Sequence, residues 1–287
     1  MPEASDPQEL QGNAVRELVA RSPLLVELGG RFADAGHQLH LVGGSVRDAL
    51  LGRLGDDLDL TTDAHPEQIL ALVEPWADAT WKTGIAFGTI GVQKQGVRIE
   101  ITTYRSESYD PQSRKPAVEF GDSLDEDLVR RDFAMNAMAV ALPDWNSPGA
   151  FVDPYGGMSD LAARVIRTPG SPTASFDDDP LRMLRAARFS AQLGFVVAPE
   201  VVEAMTERAE RISIVSAERI RAELEKLVLA PFPRAGLTLL VETGLAEQVL
   251  PELPALRLAR DEHHRHKDVS ELSLIVREQA SALESRL

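Results

Sequence analysis

Leu41-Val42-Gly43-Gly44-Ser45-Val46-Arg47-Asp48-Ala49-Leu50-Leu51-Gly52 leads, after a short polar stretch, into Asp57-Leu58-Asp59-Leu60. Gln38 to Val42 alternates apolar residues and runs into two glycines, which predicts a strand ending in a turn. Ser45 to Leu51 then predicts a helix, capped by Ser45 and closed at Gly52. A second strand over Asp57–Leu60 sends Asp57 and Asp59 to one face, because residues i and i+2 of a strand share a side. Two carboxylates about 7 Å apart along a strand can hold one Mg2+ or bridge two. Glu100, within the β-rich run Val97-Arg98-Ile99-Glu100-Ile101-Thr102-Thr103, supplies a third carboxylate if that strand lies alongside. Gly43-Gly44 lets backbone approach a phosphate, and the helix start at Ser45 together with Arg47 offers donors and positive charge. Taken singly, these are a turn, a solvated acidic loop and a strand glutamate facing water. In this order they are the parts of two-metal phosphoryl transfer, where one ion activates a hydroxyl and the other holds a triphosphate.

Composition narrows the classes that remain. The chain has 287 residues, enough for one large domain or two modest ones, and 44% of them are apolar, so it can bury a core. It has no cysteine, which removes disulfides, thiolate metal sites and cysteine nucleophiles together. No apolar run approaches the roughly 20 residues of a membrane span, and the opening MPEASDPQEL is acidic and polar, unlike a secretory signal. A soluble, cytoplasmic protein with no membrane contact is expected. Forty-five acidic residues against 30 basic ones give a net charge of −15, which argues against indiscriminate nucleic-acid binding. Any contact with RNA must be local.

Elsewhere, helices are predicted over Asn13–Ser22, Leu24–Gly36 (weakened by Gly29-Gly30), and Pro66–Val73 with Asp63 as cap. Thr89–Val92 and Val97–Thr103 read as a hairpin around Gln95-Gly96. Ser106–Glu119 is polar, holds two prolines and reads as a long exposed loop, a length that is often functional. A helical pattern returns over Leu124–Ala141, and a last short strand is expected at Val165–Arg167. Beyond Asp178 the chain reads as helices only: Pro180–Leu193, Pro199–Arg208, Ala217–Leu229, Pro233–Thr243 and Asp268–Leu287. There is no internal repeat. The switch near residue 170 from mixed elements to helices predicts two packed units.

The stretch LVGGSVRDALLGRLGDDLDLTT (41–62) resembles the signature of the polymerase-β-type nucleotidyltransferases, and within them the class II tRNA nucleotidyltransferase and bacterial poly(A) polymerase family. Four later stretches match in the family's order: Glu100–Arg105, Ser123–Phe133 with Asn136, Asp153-Pro-Tyr-Gly-Gly157, and Asp178–Phe189. The resemblance runs from about Leu41 to Leu250. It implies an α+β fold, with a nucleotidyltransferase head domain of mixed sheet and helices followed by an all-α neck and body. In those terms residues 1–22 are a lead-in, 23–170 the head, 171–230 a neck bearing the base-recognition helix, and 231–287 a partial body. It further implies Asp57 and Asp59 as Mg2+ ligands assisted by Glu100, Gly44 and Arg47 at the triphosphate, Arg131 and Asp132 at the nucleotide, and Asn136 near its sugar.

The helix starting at Pro180 carries a physical argument of its own. Pro180 suits a first helical turn with Asp179 as cap, and Asp179 and Arg182 lie three apart, so they can face one site together. A carboxylate accepts from the exocyclic amine of cytosine or adenine, while a guanidinium donates to the adjacent ring nitrogen that both bases share. Uracil and guanine present the opposite pattern and would leave both groups mismatched. Arg185 and Arg188 continue the row, to serve phosphates or stack beneath the base. Two departures from the family are visible. Asp178 stands where the family has Glu, and His263-His264-Arg265-His266-Lys267-Asp268 resembles the start of an HD-type phosphohydrolase region whose later histidine is replaced by Leu272. Ser106–Glu119, with Tyr109, Asp110, Arg114 and Pro116, resembles the family's flexible loop, which supports addition of a terminal A. The expected function is addition of CCA to the 3′ end of tRNA from CTP and ATP. The alternatives are a poly(A) polymerase, a CC- or A-adding relative, and a non-catalytic nucleotide- or RNA-binding protein of the same fold.

Overall fold

A computed structural model describes residues 23–53, 57–108, 117–121 and 123–255, excluding the side chains of residues 57, 106–108 and 117–119. The chain divides into two compact units between Leu161 and Ala162.

In the first unit, helix α1 (Pro23–Asp34) buries Leu24, Leu25, Leu28 and Phe32, one apolar stripe at helical spacing. The two glycines in it have different reasons. A methyl at Gly29 would lie 2.7 Å from Leu142 Cβ and 2.8 Å from the Pro143 nitrogen, whereas one at Gly30 meets nothing within 4 Å. Gly29→Ala is therefore expected to cost about 1–3 kcal/mol by overpacking, while Gly30→Ala gains roughly 0.5–1 kcal/mol of helix stability. Chemical denaturation of the two variants checks this; equal effects would contradict it.

Strand β1 (Leu39–Val42) follows, then α2 (Gly44–Leu50) and β2 (Asp57–Thr62). The expected Ser45 cap is not made. The residue before α2 is Gly43, and Ser45 Oγ instead accepts from the Asp59 amide at 3.2 Å, tying the helix start to β2. Asp63 likewise does not cap α3 (Pro66–Val73): its Oδ1 accepts from the Gln38 amide at 2.9 Å, and the helix starts after His65, whose amide donates to Gln68 Oε1 at 2.8 Å. Next come β3 (Ala79–Trp81), β4 (Thr89–Lys94) and β5 (Val97–Thr103). Strands β4 and β5 form the expected hairpin, with Gln95 and Gly96 at φ 51° and 84°. The segment read as one exposed loop is in part a second hairpin, β6 (Arg105–Ser108) pairing antiparallel with β7 (Ala117–Phe120). Residues 109–116 lie outside the described residues.

The helix expected over Leu124–Ala141 is the largest correction. Only α4 (Leu124–Val129) is α-helical, started by Ser123, whose Oγ accepts from the Glu126 amide. A 3-10 turn follows at Ala134–Asn136, and Ala139–Leu142 is strand β8. Strand β9 (Phe151–Val152) pairs with β8, and α5 (Gly157–Ala163) follows. The main sheet has the order β3-β4-β5-β2-β1-β8-β9, with β2 and β5 parallel and the other pairs antiparallel. One face is apolar and buried through Leu58, Leu60, Ile90, Val92, Ile99 and Ile101. Burial holds His40, on β1, well below its usual range, to about 4, and its neutral Nδ1 lies 2.8 Å from the buried Tyr104 hydroxyl.

In the second unit, β10 (Val165–Ile166) pairs parallel with β11 (Val196–Val197), so the expected last strand belongs with the helices and the division falls earlier than residue 170. Helices α6 (Pro172–Asp178), α7 (Leu181–Leu193), α8 (Pro199–Arg208), α9 (Ala217–Val228) and α10 (Pro233–Glu242) make up its body, with two short helical segments at Leu245–Val249 and Glu252–Ala255. The central α7 buries nearly its whole length between α9 and α10. The helices expected at 13–22 and 268–287, and the histidine cluster 263–268, lie outside the described residues. Among the described residues no helix is long and apolar enough to cross a membrane.

Candidate active site

The polar face of the main sheet carries the site. Parallel pairing sets Asp59 of β2 directly opposite Glu100 of β5, and Asp57 opposite Arg98. Strand spacing puts the Asp59 and Glu100 backbones about 4.8 Å apart with both side chains on one face. Both residues are exposed, and Glu100 has no hydrogen-bond or ion partner among the described residues. Asp57 opens β2; its side chain lies outside the described set. Among the described residues no group of three acidic or histidine side chains gathers at metal-holding distance.

Beside Asp59, the turn from β1 into α2 passes through Gly43 at φ 70°, a conformation that strongly favours glycine. The turn is crowded as well: a methyl at Gly43 would lie 3.1 Å from Arg131 Nη1 and 3.8 Å from Asp59 Oδ2. A guanidinium and a carboxylate thus flank one backbone position. Arg131 is held there by Asp127, whose fully buried carboxylate accepts from Arg131 Nη2 at 2.8 Å and from Arg130 Nη2 at 2.5 Å. Burial pushes the Asp127 carboxyl up, but the Arg131 and Arg130 guanidiniums more than offset it and pull it down to about 2. Sequence reading missed Asp127, although its i+3 and i+4 spacing to two arginines was visible.

Arg47, Asp132 and Asn136 come together beneath the same turn. Arg47 Nη1 donates to Asn136 Oδ1 at 2.7 Å, and Asn136 Nδ2 donates to Asp132 Oδ1 at 2.9 Å. Arg47 also grips Asp48 through Nε and Nη2, at 2.8 and 2.7 Å. Arg47 Nη2 lies 3.5 Å from where a methyl on Gly44 would stand, so this buried chain props the Gly43-Gly44 turn from below.

The second unit holds the other predicted residues. Asp179 is extended (φ −137°, ψ 99°), and its Oδ1 accepts from the Leu181 amide at 3.1 Å, the expected capping contact. Its Oδ2 accepts from Arg219 Nη2 at 3.0 Å, a partner forty residues on that nothing local in the sequence indicates. Arg182 is buried and donates from Nη1 to Ser175 Oγ at 2.8 Å. Arg188 is engaged with Glu223 through Nε at 2.5 Å and with Gln192 at 2.9 Å, and its guanidinium carbon sits 4.0 Å from the Phe189 ring centroid. Arg185 is more exposed, with Glu223 Oε1 at 3.9 Å.

Residues 39–167 match the model of the Poly A polymerase head domain, and residues 194–256 that of a probable RNA- and SrmB-binding site of polymerase A. The chain belongs to the class II tRNA nucleotidyltransferase and bacterial poly(A) polymerase family. Within the family it is 43% identical over 219 residues to a CCA-adding enzyme of Anoxybacillus flavithermus, covering 76% of this chain and 53% of that one. It is 42% identical over 217 residues to a CCA-adding enzyme of Bacillus subtilis, covering 75% and 52%. A solved family structure, the Bacillus stearothermophilus CCA-adding enzyme in complex with CTP, superposes with a TM-score of 0.68 at 39% identity, over 78% of this chain and 53% of that one. A tRNA nucleotidyltransferase complexed with a primer tRNA and an incoming ATP analog superposes with a TM-score of 0.65 at 25% identity, over 87% and 74%. The chain spans about half the length of the curated relatives it matches.

Proposed function

We propose that the chain is a template-independent nucleotidyltransferase that adds C, C and A to the 3′ end of tRNA from CTP and ATP. The observation that carries this reading is the pairing of exposed Asp59 and Glu100 on one sheet face, next to a glycine turn flanked by Arg131. The relatives in whose structures CTP, an ATP analog and primer tRNA are bound support it.

The donor set fits Mg2+: hard carboxylate oxygens on adjacent strands, with Asp59 and Glu100 facing water. Asp57, Asp59 and Glu100 would hold it. Bound there, the ion would make the primer's 3′-hydroxyl a better nucleophile and neutralise charge on the triphosphate. Gly43-Gly44 leaves room for the phosphates, and Arg131 sets a positive charge beside them. Arg47, Asn136 and Asp132 keep that turn in place. Asp179 and Arg182 read the amine-and-acceptor edge common to C and A, with Arg219 orienting the Asp179 carboxylate.

Product length tests the reading. A tRNA lacking CCA is expected to gain two residues with CTP alone, none with ATP alone, and three with both. A long A tract with ATP alone would favour a poly(A) polymerase, and no extension with retained nucleotide binding a non-catalytic protein. Base choice gives a further prediction. Asp179→Ala removes the group that a wrong base leaves unpaired, so the preference for CTP over UTP is expected to fall roughly 5- to 150-fold, the equivalent of about 1–3 kcal/mol. Incorporation efficiencies for both nucleotides on one primer measure this, and an unchanged ratio would place base choice elsewhere.

A further inference from the structure

The sheet face that carries Asp59 continues past Glu100 into residues that take no part in holding the ion or the triphosphate. Trp81 pairs with Gly91, Gly91 with Glu100, and Glu100 with Asp59, so the four stand in one row across β3, β4, β5 and β2. Trp81 is on the edge strand, yet its ring turns inward. A methyl at Gly91 would lie 1.9 Å from Trp81 Nε1 and 2.0 Å from Cε2, so the indole covers the Gly91 position, one strand from Glu100. That is a separation of roughly 5 Å. The neighbouring row on the same face pairs Gln93 with Arg98. Arg98 is exposed and makes no ion pair among the described residues. Asp59, Glu100, Arg98, Gln93 and Trp81 line one cavity of about 680 Å3.

The row has a direction. Past Asp59 at one end lie Gly43 and Arg131, the position suited to a triphosphate. In-line displacement sets the attacking oxygen and the departing pyrophosphate on opposite sides of the α-phosphorus. The primer's hydroxyl therefore comes from the Glu100 side, which brings its terminal nucleotide over Gly91 and against the indole. We propose that Trp81 is the stacking platform for the 3′-terminal base of the primer RNA and that Arg98 holds its backbone phosphate. This rests on the nucleotidyl-transfer reading, and that reading supplies a reason for an aromatic here. The terminal base changes with each addition, so the contact that holds it must be blind to base identity. Stacking is tolerant in that way, because every base has a π-face.

Steady-state kinetics on a stem-loop RNA with a single-stranded 3′ end test the assignment. Trp81→Ala is expected to raise the KM for RNA roughly 5- to 150-fold, as for the loss of one stacked base, with the KM for CTP unchanged. Trp81→Phe should recover most of the loss. Gly91→Ala, which keeps the indole but displaces it, should raise the RNA KM in the same direction. Quenching of tryptophan fluorescence by the same RNA, without nucleotide or Mg2+, gives a readout independent of catalysis and should shrink markedly in Trp81→Phe. An RNA KM unchanged in both Trp81→Ala and Gly91→Ala, or quenching undiminished in Trp81→Phe, would overturn the proposal. If the parent extends no RNA, the transfer reading fails by itself, and the quenching experiment still decides whether Trp81 meets the RNA base.

Discussion

Asp59→Ala is expected to lower nucleotide transfer by roughly a thousandfold or more, since losing metal stabilisation of the reacting phosphate removes several kcal/mol from the transition state. The fold should survive. Asp59 faces water on the polar side of β2, and the apolar side, Leu58 and Leu60, is untouched. Surface substitutions of this kind usually shift stability by no more than about 0.5 kcal/mol. All four nucleotides should lose together, because the carboxylate acts on phosphate and hydroxyl and not on the base. This separates the variant from Asp179→Ala, which changes a ratio. Transfer rates and a thermal melt on the same preparation check the prediction. Turnover within tenfold of the parent would remove Asp59 from the chemistry.

Asp127 is the second position with a large expected effect, and it works on both stability and the site. Its side chain is 0% exposed and is ion-paired with two guanidiniums. Removing one partner of a buried pair strands the other charges, so Asp127→Ala should cost about 3–5 kcal/mol. That is a large share of the roughly 5–15 kcal/mol that holds a typical protein folded. Asp127→Asn keeps the shape and loses only the charge, which makes it the better probe of the site. With its anchor weakened, Arg131 no longer stays beside Gly43, and the KM for CTP should rise. The pH dependence has a definite sign. The carboxyl is lowered from 3.8 to about 2 in the folded protein. Its contribution is therefore fully present above about pH 4 and is lost as pH falls through 2, a difference on the order of 2 kcal/mol. Acid denaturation of the parent should be steeper over that window than that of Asp127→Asn. Identical acid transitions would contradict the assignment.

The parts of the site that could be read from sequence are those where local pattern and chemistry coincide. Gly43-Gly44 after an alternating run, and Asp57-x-Asp59 in a short strand, need only the two-residue period of a strand to be interpreted. Glu100 needed one long-range assumption, that β5 lies beside β2, and the parallel register supplies it. The error over Leu124–Ala141 has a physical source. Phe133 to Leu142 is a nearly continuous apolar run, and such a run suits a buried helix or a buried strand equally well until its neighbours are known. Pairing with β1 on one side and β9 on the other decides it. The capping errors at Ser45 and Asp63 are of another kind. Both side chains accept from backbone amides outside their nearest helix, Asp59 on β2 and Gln38 just before β1. Arg219 beside Asp179, and Trp81 over Gly91, depend on contacts between elements that no spacing rule encodes.

The central claim is that the face around Asp59 performs nucleotidyl transfer, and its most direct test follows an α-phosphate. The parent chain and Asp59→Ala are incubated with CTP labelled at the α-phosphorus, Mg2+ and a tRNA lacking its CCA end. The parent is expected to move label into the RNA, with one pyrophosphate released for each residue added, and Asp59→Ala to move almost none. CTP bound by the parent with no label transferred, or equal transfer by parent and variant, would contradict it.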